Sequence, residues 1–235
     1  MPKHYQLVTV DDIQKDEEAI LEILSAGRNS IKLLNYYREL PVSFEGSVEF
    51  SDRGVVEMNV HDLQAAAMMI EKEVFIKSKG LPYDVVAKVM KIRKNTRSAF
   101  LSNFHYVIIT AERRLCVRVR LLEKLDATFH FNDRSIQGQI EDISFSGLSI
   151  KAPNDISLEE NSTGTVHLAL PSTMLDLSGK LLKVNQDDSS SKFIIELEMD
   201  NKNEQYISQF IFSQQSGIIR ELKELYSSGP DTIIV

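Results

Sequence analysis

The sequence has almost no cysteine and no apolar segment of membrane-spanning length. Cys116 is the only cysteine among 235 residues, which excludes an intramolecular disulfide and favours a reducing compartment. No apolar run approaches the roughly 20 residues that a helix needs to cross a bilayer, so no membrane span is predicted. Residues 1–5 lack the basic and apolar regions of a signal peptide. We therefore expect a cytoplasmic location.

Patterns typical of catalysis and metal binding are also missing. No glycine-rich phosphate loop precedes a predicted helix, and no serine lies in a nucleophile elbow. The histidines are scattered along the chain, which argues against a metal site: they are His4, His61, His105, His130 and His167. We therefore expect a protein that is not an enzyme and that has no resident metal or cofactor.

Positive charge is in deficit. The chain has 27 Lys and Arg residues against 34 Asp and Glu residues, which gives a net charge of −7. This balance argues against a general nucleic-acid-binding protein, because such proteins usually carry a basic face. A local group of arginines in this chain is better suited to a small anion than to a long polyanion.

Strand-like alternation of apolar and polar residues dominates the pattern. It predicts strands at residues 44–50, 55–60 and 83–93, and a dense series of short strands between residues 117 and 199 that favours a small antiparallel barrel. Helical spacing predicts helices over residues 16–40, 61–73 and 204–226. Gly27 and Asn29 interrupt the pattern of the first, which leaves two pieces as an alternative, and the last is interrupted near residues 213–217. Residues 227–235 are expected to form a tail.

A short charged segment, residues 110–114, separates the two strand-rich regions. We predict a first β-rich domain over residues 1–109 and a second domain over residues 110–235. A junction this brief keeps two domains close while allowing them to reorient.

Three arginines lie within six residues at this junction: Arg113, Arg114 and Arg118. The planar guanidinium matches phosphate oxygens and stacks on aromatic bases, and it can bond the O6 and N7 acceptors of guanine. The simpler interpretation is a solvated charged face, or salt bridges to Glu112 and Glu123. The arginines alone favour that simpler interpretation.

A second motif, Asp142-Ile-Ser144-Phe-Ser-Gly147, lies about two predicted strands later. A carboxylate accepts hydrogen bonds from guanine N1 and N2, and a serine hydroxyl can donate to phosphate. Glycine allows the backbone to approach closely or to take a positive φ. Alone, these residues would merely form a capped turn. Together with the arginines, they predict a site for a guanine nucleotide with exposed phosphates.

The paired motifs, Arg114-Leu-Cys-Val-Arg118 and Asp142-Ile-Ser144-Phe-Ser-Gly147, resemble the signature of PilZ domains, which are bacterial receptors for cyclic di-GMP. The resemblance implies a six-stranded antiparallel barrel closed by a C-terminal helix. The preceding region resembles the N-terminal domain of YcgR-type flagellar-brake proteins. The fold class implied is mainly β, with two β-barrel-like domains and peripheral helices.

The resemblance also implies roles for individual residues. Arg114 and Arg118 would bind the phosphates of cyclic di-GMP and stack on guanine. Asp142 and Ser144 would contact guanine and phosphate, and Gly147 would shape the turn. In PilZ proteins an arginine at the position of Arg113 is associated with a stacked dimer of the ligand on each protomer.

The leading hypothesis is a cyclic di-GMP effector. Residues 110–118 are expected to order around the ligand, change the interdomain arrangement and signal to a protein partner. The resemblance implies the flagellar motor, or another machine of motility, biofilm formation or virulence. The alternative is a PilZ-like adaptor that acts through protein contacts without ligand.

A transcription regulator that reads nucleic acid is the weakest interpretation, because the chain is acidic and has no helix-turn-helix pattern. A homodimer through the C-terminal helix or the first domain is left open. Cys116 is interpreted as a small inward-facing apolar residue rather than a redox sensor.

Overall fold

The structure is a computed structural model that describes residues 4–26, 31–114, 116–153, 159–187 and 189–235, apart from the side chain of Arg113. Contacts divide the chain into two compact units. The first comprises Met1–Tyr37, Pro41–Leu115 and Ile219–Val235, and the second comprises Arg38–Leu40 and Cys116–Ile218. The division into domains at residues 1–109 and 110–235 stays a prediction.

In chain order the elements are β1 (Tyr5–Leu7), α1 (Ile13–Ser25), β2 (Ile31–Tyr37), β3 (Leu40–Asp52), β4 (Val55–Asn59), α2 (Asp62–Glu71), β5 (Glu73–Lys77), β6 (Asp84–Arg93), β7 (Ser98–Ile109), a 3₁₀ helix (Thr110–Arg113), β8 (Arg118–Arg120), β9 (Asp126–Phe131), β10 (Arg134–Ser144), β11 (Gly147–Ala152), β12 (Thr163–Leu170), β13 (Thr173–Gln186), β14 (Ser191–Glu198), α3 (Asn201–Ser228) and β15 (Thr232–Ile234). The predicted mainly β fold is confirmed.

The first unit is a closed barrel of six strands. The order β7-β4-β3-β2-β5-β6 returns to β7 because β6 also pairs with β7, while β1 adds to β7 and β15 adds to β6. Alternate residues of β6, namely Val85, Ala87 and Val89, are buried in its main core. The helices complete that core, because α1 contributes Ile20 and α2 contributes Met68. Period-two alternation is therefore what places one face of each strand inward.

The predicted helix over residues 16–40 is wrong for residues 31–40, while residues 27–30 lie outside the described residues. Residues 31–37 form β2, and Leu33 and Leu34 are both buried although they point to opposite faces of the strand. A strand buried on both sides has no alternation, so its apolar residues imitate helical spacing. Arg38 and Glu39, with φ of 50° and 65°, form the turn into β3. Positive φ at both central residues is typical of Asn-Gly turns, and Arg-Glu gives no such signal.

The second unit is a closed antiparallel barrel of six strands, as predicted. Its order is β9-β10-β11-β14-β13-β12, and β12 pairs again with β9. The buried side chains alternate along β9, where Ala127, Phe129 and Phe131 point inward. Short strand β8 joins the barrel by pairing with β10. This pairing brings Arg118, the last of the three grouped arginines, beside the end of β10.

Helix α3 follows the barrel without a break from Asn201 to Ser228, so the predicted interruption at residues 213–217 is wrong. Buried Ile207, Ile211 and Ile218 flank that polar segment at helical spacing, and burial outweighs the weak helix propensity of the serines and the glycine. The predicted tail is also partly wrong, because β15 pairs with β6. Among the described residues, no helix is long and apolar enough to cross a membrane.

Candidate functional site

Strand pairing places Arg118 beside the motif of residues 142–147. β10 lies between β8 and β11, so Ser144 is directly opposite Arg118 on one side and Gly147 on the other. Directly opposite residues in antiparallel strands lie on the same face of the sheet. Arg118, Ser144 and Gly147 therefore form one row across three strands, although 25 residues of chain lie between the first two.

These residues open into a cleft in the second unit. Arg118, Asp142, Ser144 and Gly147 line it. The rest of its lining is mixed polar and apolar: Ser146, Leu148, Leu182, Ile194, Ile195 and Glu196. Binding sites for small molecules usually combine apolar walls with a few polar groups.

Asp142 is the most buried charged group of the cleft, with an exposed fraction of only 5%. Its Oδ2 accepts hydrogen bonds from Lys192 Nζ at 2.7 Å and from Ser149 Oγ at 2.8 Å. Its Oδ1 lies 3.8 Å from Arg118 Nη1. Burial raises the pKa of Asp142, but Lys192, Ser149 and Arg118 outweigh burial and lower it overall. Asp142 is therefore an anion at neutral pH.

A β-bulge explains how two adjacent carboxylates meet one lysine. The register of β10 against β11 shifts between Ile140 and Asp142, which leaves Glu141 as the additional residue. Neighbouring side chains of a regular strand point to opposite faces, whereas a bulge re-aims one of them. Glu141 Oε2 consequently lies 2.9 Å from Lys192 Nζ, and Glu141 Oε1 lies 3.6 Å from Arg120 Nη2.

The ion pairs around the cleft form one cluster with balanced formal charge. Its three cations and three anions are Arg118, Arg120, Lys192, Glu39, Glu141 and Asp142. Arg118 is its most exposed cation, at 33% of the side chain, and its one ion-pair distance in the cluster is 3.8 Å. Arg118 is therefore the cation of this cluster that can turn most easily towards a bound phosphate.

Ser144 and Gly147 are joined across the hairpin between β10 and β11. The Ser144 hydroxyl donates to the carbonyl oxygen of Gly147 at 3.1 Å, so its proton already has an acceptor within the protein. A Cβ at residue 147 would lie 2.5 Å from the carbonyl oxygen of Ile195. Gly147 does not have a positive φ. The close approach of β14, and not the shape of the turn, is what requires glycine here.

The other two arginines of the predicted site, Arg113 and Arg114, lie where the 3₁₀ helix ends. Arg113 ends the 3₁₀ helix, and its side chain lies outside the described part of the structure. Arg114 follows in extended conformation, and its backbone N–H donates to the carbonyl oxygen of Ala111. Both belong to the first unit. Their part in ligand binding stays a prediction.

Two residues of the site were missed by sequence reasoning: Ser149 and Lys192. Ser149 lies two residues after Gly147 on a predicted strand, so period-two spacing would have placed it on the same face. Lys192 gave no such signal, because its contact with Asp142 depends on the pairing of β14 with β11, between residues that are distant in sequence. In the ranges that the structure describes, no group of three His, Cys, Asp or Glu residues is arranged to hold a metal ion.

A sequence model of the PilZ domain matches residues 112–213. No curated protein matches the chain. Among solved structures, YcgR from Escherichia coli in complex with c-di-GMP has a TM-score of 0.43 and 10% identity, with 92% of this chain and 100% of YcgR covered.

Two further solved structures have a similar level of likeness. The MrkH–c-di-GMP complex of K. pneumonia has a TM-score of 0.44 and 12% identity, with 89% of this chain and 97% of MrkH covered. The inhibitor of motility MotI/DgrA of Bacillus subtilis has a TM-score of 0.41 and 13% identity, with 81% of this chain and 98% of MotI covered. Residues 112–213, which include the six-stranded barrel and both predicted motifs, are a PilZ domain.

Proposed function

We propose that this protein is a receptor for cyclic di-GMP, the ligand of the PilZ family. The observation that carries the proposal is the cleft of the PilZ domain, where Arg118 meets Asp142, Ser144 and Gly147. A cation suits the phosphates of a guanine nucleotide, and a carboxylate can accept hydrogen bonds from the N–H groups of its base. Ligand binding by Arg113 and Arg114 is part of the same proposal.

Each described group of the cleft has a distinct task in this proposal. Arg118 turns from Asp142 to a phosphate and stacks on guanine. Asp142 offers Oδ1 to the N–H groups of guanine, because its Oδ2 is already bonded to Lys192 and Ser149. Ser144 exchanges its bond to the Gly147 carbonyl for one to the ligand. Each charge-assisted hydrogen bond contributes about 1.5–3 kcal/mol.

The balanced charge of the cluster supports a need for additional arginines. Arg118 alone would face a ligand with two phosphates, while Arg120 and Lys192 are engaged with Glu141. Arg113 and Arg114 precede the barrel and supply two more positive charges. Ordering of residues 110–118 around the ligand would then change the interdomain arrangement and signal to a protein partner.

The regulated process is proposed from the family resemblance. YcgR-type proteins are flagellar brakes, so the flagellar motor is the first partner to test, followed by other machines of motility, biofilm formation or virulence. The proposed location is the cytoplasm. A homodimer is compatible with this mechanism.

A ligand-independent adaptor is the second candidate. One observation favours it: in this structure the Ser144 hydroxyl and Asp142 Oδ2 are already bonded within the protein, and the cluster has no net formal charge. A cluster whose charges and hydrogen-bonding groups are already paired within the protein can serve as a structural element without any ligand. The arginine pair of the first motif favours the receptor, because ligand-blind members of the family usually lack it.

Calorimetric titration of the full chain with cyclic di-GMP separates the two candidates. We expect heat with cyclic di-GMP and none with GTP as a matched guanine control. Small-angle scattering with and without cyclic di-GMP should then detect the change in interdomain arrangement as a change in radius of gyration. The absence of heat with either nucleotide would favour the adaptor, whereas binding without a change in scattering would contradict only the rearrangement.

A further inference from the structure

Lys192 contacts the carboxylate of Asp142, which lines the cleft of the second unit. It is on β14, whereas Asp142 is on β10, and β11 runs between them. Its ammonium lies 2.7 Å from Asp142 Oδ2 and 2.9 Å from Glu141 Oε2. Its side chain is only 26% exposed. The lysine does not line the cleft, so it would not itself meet a ligand.

The two oxygens of Asp142 have different surroundings. Oδ2 accepts from Lys192 and Ser149, on the side away from β8. Among the residues that the structure describes, Oδ1 has only the loose contact with Arg118, at 3.8 Å. A carboxylate that is held through one oxygen has a fixed rotamer, and its second oxygen then has a fixed direction.

We propose that Lys192 is a positioning residue of the nucleotide site, which holds Oδ2 of Asp142 so that Oδ1 is presented to the ligand and to Arg118. This inference rests on the proposed function, because the ligand in question is cyclic di-GMP. It adds a residue outside both sequence motifs. It also gives the bulge at Glu141 a role, since the bulge supplies the second anchor of the same lysine.

Removal of Lys192 should change both the direction and the charge of Asp142. Burial would then act on Asp142 with only Ser149 and Arg118 against it, so the pKa of its carboxyl would rise. The remaining cation of the cluster, Arg120, does not replace the lost ammonium, since it lies against the carboxylates of Glu39 and Glu141. A protonated Asp142 is a poorer acceptor for guanine N–H groups, and its rotamer is no longer fixed.

The test is calorimetry of Lys192→Met with cyclic di-GMP, between pH 5 and pH 8. We expect K192M to bind at least about tenfold more weakly than the wild type, as expected for loss of a charge-assisted contact. The loss should grow as the pH falls. K192R, which keeps the charge, should restore most of the affinity. In a D142N background, K192M should reduce the affinity little further, because the carboxylate on which it acts is already absent.

Lys151→Met is the matched control. Lys151 is exposed and directly opposite Lys192 on β11, so K151M removes the same charge from the neighbouring strand. Equal affinities of K192M and K151M would overturn the proposal, and so would a pH profile of K192M parallel to that of the wild type. If K192M does not fold, K192Q takes its place with the same expectations.

A measurement without ligand separates this inference from the proposed function. Carbon NMR of the Asp142 carboxyl in the free protein should give a higher pKa in K192M than in the wild type. An unchanged pKa would overturn the control of Asp142 by Lys192, whatever the ligand. A raised pKa together with no binding of cyclic di-GMP to the wild type would overturn the proposed function and leave the ion pair as a structural element.

Discussion

The carbonyl oxygen of Ile195 occupies the position next to Gly147 where a side chain would begin. A Cβ at residue 147 would lie 2.5 Å from that oxygen, and the obstructing atom belongs to the backbone of β14. Because β11 is paired with β14 along its whole length, neither strand can move here without loss of hydrogen bonds. The glycine of the second motif is therefore a requirement of barrel packing.

Gly147→Ala should destabilise the protein. The added methyl group must displace backbone, which costs about 1–3 kcal/mol for overpacking of this kind. Chemical denaturation should show this decrease in the free energy of unfolding. Ser146→Ala, in the exposed turn one residue earlier, is the control and should change stability by less than about 0.5 kcal/mol. Equal stabilities of the two variants would refute the packing argument.

Arg118→Ala should weaken the binding of cyclic di-GMP. Loss of one charge-assisted contact costs about 1.5–3 kcal/mol, which corresponds to at least about a tenfold loss of affinity. Arg134→Ala removes an exposed arginine at the other end of β10 and should bind as the wild type does. Calorimetry on both variants provides the measurement. An R118A variant with wild-type affinity would refute the assignment of Arg118 to the site.

Arg113 should set the stoichiometry of the ligand. We predict two molecules of cyclic di-GMP on each protomer of the wild type, as a stacked dimer, and one molecule on Arg113→Leu. Titration calorimetry at protein concentrations well above the dissociation constant gives both numbers. One ligand on each wild-type protomer would contradict this prediction without contradicting binding itself.

Asp142 should make stability depend on pH in the acidic range. Burial raises the pKa of Asp142, but Lys192, Ser149 and Arg118 lower it more, so the folded-state pKa lies below the ordinary value of 3.8. Such a group stabilises the fold fully above its ordinary pKa, and this contribution is lost as the pH falls through the lowered value. Stability at neutral pH should therefore include this contribution.

Asp142→Asn tests that dependence by urea unfolding between pH 3 and pH 7. At pH 7 the variant should be less stable than the wild type by about 1–3 kcal/mol, because a charge-assisted pair is lost. The difference should shrink below the ordinary pKa, as the wild-type carboxylate takes up a proton. Asp133→Asn, in the exposed turn before β10, should follow the wild type at every pH. A difference that is constant with pH would contradict the ionised state.

The sequence was sufficient for the barrel of the PilZ domain and for much of its cleft. Alternation along β9 and the later strands gave the antiparallel barrel, because period-two burial is a local property of the chain. It was misleading for residues 31–37, where burial on both faces removed the alternation. It also missed β15, whose three residues are stabilised by pairing with a distant strand.

By itself the sequence determined which chemistry is available: arginines at 113, 114 and 118, and an Asp-x-Ser-x-x-Gly turn that complements them. Residue types and short spacings are local, so they can be read without a fold. Only the tertiary structure decided that Lys192 holds one oxygen of Asp142, that the Ser144 hydroxyl is already bonded, and that Gly147 is required by Ile195. The contacts of Lys192 and of Ile195 depend on the register of β14 against β11, which arises from hydrogen bonds between residues far apart in the chain. The bond of Ser144 depends on the register of the hairpin between β10 and β11.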